Sequence, residues 1–202
     1  MADIPWMLFV DGENFTIRGQ ELAKQEGLSL DADPRSYLKD VFLWFPTFDA
    51  LNGIYANFSF SVAGLGMRAY YYTSVTGDDD KVVTVRRSLR ALGFDPQVFK
   101  KTSGKSKGVD ITLTKDMLSH AFRDHYQVAV LIAGDRDYVP LIEETKRCGK
   151  RVHVGFFDRE GLGLAEEVKL VADLFVDLTE GFVRLWRARI DDLERARARP
   201  SA

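Results

Sequence analysis

The chain has 202 residues, 46% of them hydrophobic, which is enough for one domain with a substantial core. Its formal net charge of -2 excludes a global pull towards nucleic acid or membranes, so a polyanion site must be a local patch. Cys148 is the single cysteine, which excludes an internal disulfide framework and a zinc site made of several thiolates; it reads as a buried spectator.

The first apolar run, Trp6-Met7-Leu8-Phe9-Val10, is broken by Asp11, so it reads as a buried strand rather than a secretory leader. No segment approaches the roughly 18 consecutive apolar residues of a membrane span, so the expectation is a cytoplasmic protein with no membrane partner. Asn14 to about Lys24 follows as a helix with Gly27 as its stop. Asp33-Pro34 looks like another helix start, and Tyr37, Val41, Leu43, Trp44 and Phe45 make a strongly apolar helix up to Pro46. Those side chains line either the core or a groove, and the core is the better reading. From Asn52 to Gly66 an alternation of Phe58, Phe60 and Val62 suggests a short hairpin or an inserted loop.

Arg68 to Thr73, containing Tyr70-Tyr71-Tyr72, reads as the next strand. Asp78-Asp79-Asp80 reads as a solvated helix cap before Lys81 to Leu92 in preference to a set of metal ligands. Gly93 closes that helix, Phe94 to Phe99 is a strand, and the loop over 101–107 is made of Lys, Ser, Thr and Gly. Val109, Leu113, Met117 and Ala121 then recur at helical spacing, with Asp110 in the first turn. Val128 to Ala133 is apolar without alternation, as expected of a parallel strand buried on both faces. Tyr138 to Gly149 is predicted helical, Arg151 to Phe157 a strand, Leu164 to Leu174 a helix, and Phe175 to Leu178 a last short strand.

From Gly181 onward, Phe182, Leu185, Trp186, Ile190 and Leu193 sketch an apolar helix face, flanked by Arg184, Arg187, Arg189, Arg195, Arg197 and Arg199. That helix is open to three roles: packing on the domain, forming a homodimer, or touching RNA. The alternation predicts a three-layer α/β fold with a mainly parallel central sheet of about five to six strands and helices on both faces. Residues 1–180 form the domain, and 181–202 a basic amphipathic helix.

In open α/β sheets ligands bind beyond the carboxyl ends of the strands, and here those ends carry acids. Asp11 and Asp135 end neighbouring strands, Asp137 follows two residues later, and Asp110 opens the helix leading into the Asp135 strand. Converging carboxylates repel one another and raise each other's pKa unless a cation offsets them. An all-oxygen set favours Mg²⁺ or Mn²⁺ over zinc. Such an ion suits hydrolysis of a phosphodiester. Each acid also has a local reading: Asp11 and Asp137 as helix caps, Asp110 as a partner of the helix dipole. Asp116 sits on the inward side of its helix, where it braces the site or bonds a backbone amide, and Glu13 lies at the surface or behind the ligands.

Lys100, Lys101, Lys105 and Lys107 crowd the loop before Asp110, and Arg86, Arg87 and Arg90 lie on the preceding helix. A basic rim beside an acidic centre suits RNA, whose flanking phosphates it would hold, with Lys107 nearest the transition state; an ordinary solvated loop is the competing reading.

Three ordered motifs sharpen this. Phe9-Val10-Asp11-Gly12-Glu13-Asn14, Lys107-Gly108-Val109-Asp110 with Asp116-Met117-Leu118, and Ala133-Gly134-Asp135-Arg136-Asp137-Tyr138-Val139-Pro140-Leu141 together resemble the NYN domain. That family includes LabA-like proteins and belongs to the PIN-like nucleases. The resemblance runs from about Ile4 to Leu178, including Gly149-Lys150-Arg151-Val152, and implies a PIN-like (Rossmannoid) fold and a metal-dependent ribonuclease. Position by position, it implies that Asp11, Asp110, Asp135 and Asp137 bind metal and that Asn14 accompanies the first aspartate, orienting it or binding phosphate. The chain departs from the family at Ala133, where Ser or Thr is common, and at Arg136, where a small residue is common; Arg136 then becomes a candidate phosphate contact. The loss of a hydroxyl at Ala133 keeps open a second class, an RNA-binding or regulatory module that cleaves nothing. A haloacid-dehalogenase-type phosphatase is disfavoured because position 13 is Glu where its Asp-x-Asp motif needs the second Asp. Dinucleotide binding is disfavoured because no Gly-x-Gly-x-x-Gly follows the first strand, and Gly161-Leu162-Gly163 reads as a loop.

Overall fold

A computed structural model describes residues 4–28, 37–38, 41–42, 66–101 and 108–198. The elements in chain order are β1 (Trp6–Asp11), α1 (Gly12–Gln25), β2 (Tyr37–Leu38), β3 (Val41–Phe42), β4 (Gly66–Val75), α2 (Asp79–Ala91), β5 (Asp95–Lys100) and α3 (Val109–Phe122). They continue with β6 (Val128–Ile132), a 3₁₀ turn (Arg136–Tyr138), α4 (Val139–Arg147), β7 (Arg151–Phe156), α5 (Glu166–Val171), β8 (Leu174–Asp177) and α6 (Thr179–Ala198).

The main sheet has the order β5-β4-β1-β6-β7-β8, and every pairing in it is parallel. The unbroken apolar runs occupy its centre: every residue of β1 and β6 is buried. Side chains alternate between the two faces of a strand, so each run feeds two cores. Leu8, Val10, Val130 and Ile132 pack under α1, α2 and α6 through Phe15, Val85, Phe182 and Trp186. Met7, Phe9, Ala129 and Leu131 pack under α3 and α4 through Leu113, Met117, Leu141 and Ile142. This is the expected three-layer architecture.

The chain builds outward from β1 to β4 and β5, then returns to add β6 on the other side of β1. The order of strands therefore reverses between β1 and β6, where ligands bind in open parallel sheets. Val10 is level with Ile132, so Asp11 and the chain after β6 leave the sheet together.

The predicted elements are recovered with shifted ends, and two are corrected. Tyr37–Leu38 and Val41–Phe42 form a small antiparallel pair, where a helix over 33–45 was expected. β-branched and aromatic residues suit strands as well as helix cores, and apolar content does not separate the two. The other residues of that segment, and the hairpin or loop expected before Gly66, lie outside the described residues. The helix expected over 164–174 is only Glu166–Val171, and Leu174 opens β8. Asp78 does cap α2, accepting the Lys81 N–H at 2.9 Å. The apolar face of α6 packs on the domain: Phe182 and Trp186 are 1% exposed, and Phe182 meets Phe157 edge-on at 5.1 Å. Cys148 is only partly buried.

Candidate active site at the carboxyl edge of the sheet

Asp11 ends β1 and caps α1, its Oδ1 accepting the Asn14 backbone N–H at 3.2 Å. The local cap reading is thus satisfied, yet it uses only one carboxylate oxygen. On the other side of the strand-order reversal, Ala133 and Gly134 carry the chain from β6 to Asp135, whose Oδ1 accepts the Asp137 N–H at 3.1 Å. That bond starts the 3₁₀ turn Arg136–Tyr138, and the turn sends Tyr138 inward, where it is 3% exposed.

The Tyr138 hydroxyl lies 3.0 Å from Asp11 Oδ2 and 3.2 Å from Asp110 Oδ1. One phenol thus joins β1 to the first turn of α3. It carries one proton and can donate to only one acid at a time, so two ionised carboxylates leave one oxygen facing a lone pair.

The glycines in both motifs follow from space. A Cβ on Gly12 would lie 2.0 Å from Tyr71 Cε1, and one on Gly134 would lie 2.4 Å from Phe156 Cδ1. Tyr71 and Phe156 are buried rings packed against the two glycines.

Asp11 is 4% exposed, and burial raises its carboxyl from the ordinary 3.8 to about 7. The hydrogen bonds from Asn14 and Tyr138 oppose that rise, while Asp110 and Glu13 add to it. Asp110 is raised in the same direction, first by its own burial and then by Asp135, Glu13 and Asp137, with Tyr138 opposing. Burial together with the two acids pushes the Tyr138 phenol far up, so it keeps its proton.

Asp11, Glu13, Asn14, Asp110 and Asp135 line a cleft of about 290 Å³, whose remaining wall includes Ile17, Arg18 and Val109. Among the described residues no three His, Cys, Asp or Glu side chains stand as a ready-made cation cage. The donor set nevertheless fits a hard divalent ion. It is all oxygen, it converges on one cleft, and two of its acids are held at raised pKa by burial first and then by neighbouring carboxylates.

The other expected residues divide. Asp137 is exposed and lies outside the cleft lining, although its charge reaches Asp110. Asp116 is also outside; it accepts from the Tyr72 hydroxyl at 3.2 Å and sits 3.5 Å from Lys115, so it braces β4 where a backbone amide was the alternative partner. Glu13 is neither free nor simply at the surface, because it accepts hydrogen bonds from Ser74 and Lys101. Lys101 is thereby tied to the cleft wall. Lys100 pairs instead with Asp79 at 2.9 Å, and Arg136 with Glu167 at 3.1 Å, and neither lines the cleft. Arg86 donates to the Val98 carbonyl at 3.1 Å, while Arg87 and Arg90 are exposed. Lys105 and Lys107 lie outside the described residues.

Sequence reasoning missed Tyr138 as a site residue, and it missed Arg18 and Ser74. Tyr138 stands three residues after Asp135, which in a 3₁₀ turn brings it over the same side. Arg18 stands four residues after Asn14, one helical turn along the same face of α1. Those spacings were available signals; nothing local marks Ser74. A larger groove of about 440 Å³ runs beside α6, but Arg159 and Arg187 on its wall both pair with Glu26.

The fold and cleft define an α/β protein with an acidic pocket at the reversal of a parallel sheet, the arrangement of the PIN-like superfamily. The NYN domain model matches residues 5–179, and the chain belongs to that family, which lies within that superfamily and is generally ribonuclease-like. No curated protein matches the sequence. Among solved structures, a protein of unknown function from Vibrio parahaemolyticus is similar at a TM-score of 0.60 and 21% identity. The match covers 89% of this chain and 96% of that one. No helix among the described residues is long and apolar enough to cross a membrane.

Proposed function

We propose that this chain is a divalent-metal-dependent ribonuclease that hydrolyses RNA phosphodiester bonds at the Asp11–Asp110–Asp135 cleft, and that it works in the cytoplasm. The observation that carries the reading is the pair Asp11 and Asp110, drawn together around one phenol with Asp135 on the same cleft. Mg²⁺ or Mn²⁺ would be held by Asp11, Asp110 and Asp135, with Asp137 adding negative charge from the rim. The ion would supply a water of lowered pKa and charge neutralisation at the scissile phosphate. Asn14 lines the same wall and orients either Asp11 or a phosphate oxygen. Lys101, tied down by Glu13, holds a flanking phosphate; Lys105 and Lys107 remain candidates for the same work on sequence grounds, Lys107 for the transition state.

The test is Mn²⁺-dependent cleavage of a fluorescent RNA. Asp135→Asn abolishes cleavage while circular dichroism and melting remain those of a folded protein; cleavage surviving in clean preparations of that variant sinks the assignment. A second reading, an RNA-binding module without cleavage, is favoured by the missing hydroxyl at Ala133 and by the lack of a ready-made cage among the described residues. RNA binding measured with and without Mn²⁺, alongside product analysis of the wild type, separates the two.

A further inference from the structure

Among the described residues that line the cleft the other side chains are acidic, amide or apolar, and Arg18 is the one cation; Lys101 stands behind that lining, paired with Glu13. A phosphodiester entering an acid-lined pocket meets repulsion that a bound ion offsets at one phosphate only. The neighbouring phosphates need a cation of the protein's own.

Arg18 is held in a way that suits this. Glu21, one turn further along α1, takes Nη1 at 2.8 Å. The rest of the guanidinium lies over Gly163, where a Cβ would fall 2.8 Å from Nη2, 2.9 Å from Cζ and 2.9 Å from Nε. Gly163 has φ +74, a conformation that favours glycine, so backbone and space both demand glycine here. The loop that presents Gly163 is itself fixed to the site: Leu162 is fully buried, and the Ala165 N–H donates to the Gly134 carbonyl at 2.9 Å, next to Asp135. Within Gly161-Leu162-Gly163, which reads in sequence as a plain loop, Gly163 is thus the floor on which a cleft cation rests. A guanidinium has five N–H donors in a rigid fork, and Glu21 uses one side of it. Ile17, 46% exposed on the same wall, offers an apolar surface beside it for a nucleoside ring.

We propose that Arg18, seated on Gly163 and aligned by Glu21, is the residue of this cleft that clamps the RNA phosphate next to the scissile one. This rests on the reading of the cleft as an RNA site, but not on cleavage. The test is fluorescence anisotropy of the full chain with a short single-stranded RNA in EDTA, over a series of salt concentrations. Arg18→Gln should weaken binding about tenfold, and the slope of log affinity against log salt should fall by about 0.7, the value for one phosphate contact on a single strand. Arg18→Lys should keep the slope and recover part of the affinity, because the charge remains while the fork is lost. Gly163→Ala, which displaces the guanidinium but removes no charge, should weaken binding in the same direction.

Wild-type affinity and slope in Arg18→Gln overturn the proposal, and wild-type affinity in Gly163→Ala overturns the seating on the loop. Equal slopes with lowered affinity in folded Arg18→Gln also overturn it, because a merely structural role would lower affinity without removing a phosphate contact. A wild type that binds RNA with this pattern yet cleaves nothing refutes the ribonuclease reading and leaves Arg18 standing. A wild type that binds no RNA, in EDTA or with Mn²⁺ added, removes both.

Discussion

Replacing Asp11 by Asn should make the metal-free protein more stable while destroying the activity proposed for it. A carboxyl held near 7 in the folded chain, against an ordinary 3.8, binds its proton more tightly folded than unfolded. Its contribution is therefore complete below about pH 4 and is lost as the pH rises through about 7. At about 1.4 kcal/mol per tenfold difference in proton affinity, the wild type gives up on the order of 4 kcal/mol across that window. An amide at position 11 carries no charge to desolvate. Its oxygen can still accept from the Asn14 N–H, and its NH₂ can donate to the Tyr138 oxygen, freeing the phenol proton for Asp110. Urea unfolding in EDTA from about pH 4 to about pH 8 reads the difference: near zero at the acid end and growing to a few kcal/mol at the alkaline end. That corresponds to a melting shift on the order of 10 °C for a chain of this size. A variant no more stable than wild type at about pH 8, or one whose advantage is the same at both ends, refutes the account of how Asp11 is held.

Tyr138→Phe removes a hydrogen bond to a buried acid and should cost about 1.5–3 kcal/mol in chemical denaturation. Gly134→Ala drives a methyl into the Phe156 ring and should cost roughly 3 kcal/mol or more, read as a lowered melting temperature. A cost below about 1 kcal/mol would mean the ring moves aside freely. Trp186→Ala should cost about 3–5 kcal/mol in a single cooperative transition, because that indole is fully buried in the core shared with Phe15 and Val10. A separate, earlier transition would instead show α6 to be an appendage.

Much of this molecule follows from local chemistry. β1 and β6 are legible because strands covered on both faces need unbroken apolar runs, and α3 because Val109, Leu113, Met117 and Ala121 repeat with the helical turn. Asp78 is legible as a cap because its partner is three residues away. Such signals live within a few residues, where backbone geometry sets distances. The segment around Tyr37 to Phe42 misled because its apolar content states that it is buried and not which period it follows.

Those same short-range rules placed Asp11, Asp110 and Asp135 at the ends of elements, and hence on one rim. Only the packed sheet decided what they do to one another there. The phenol that joins Asp11 to its neighbour comes from 127 residues further along the chain, and the lysine tied to Glu13 from 88. Over such separations no spacing rule operates: which side chains meet is settled by the order of the strands and by rings such as Tyr71 and Phe156, which need the room that Gly12 and Gly134 leave.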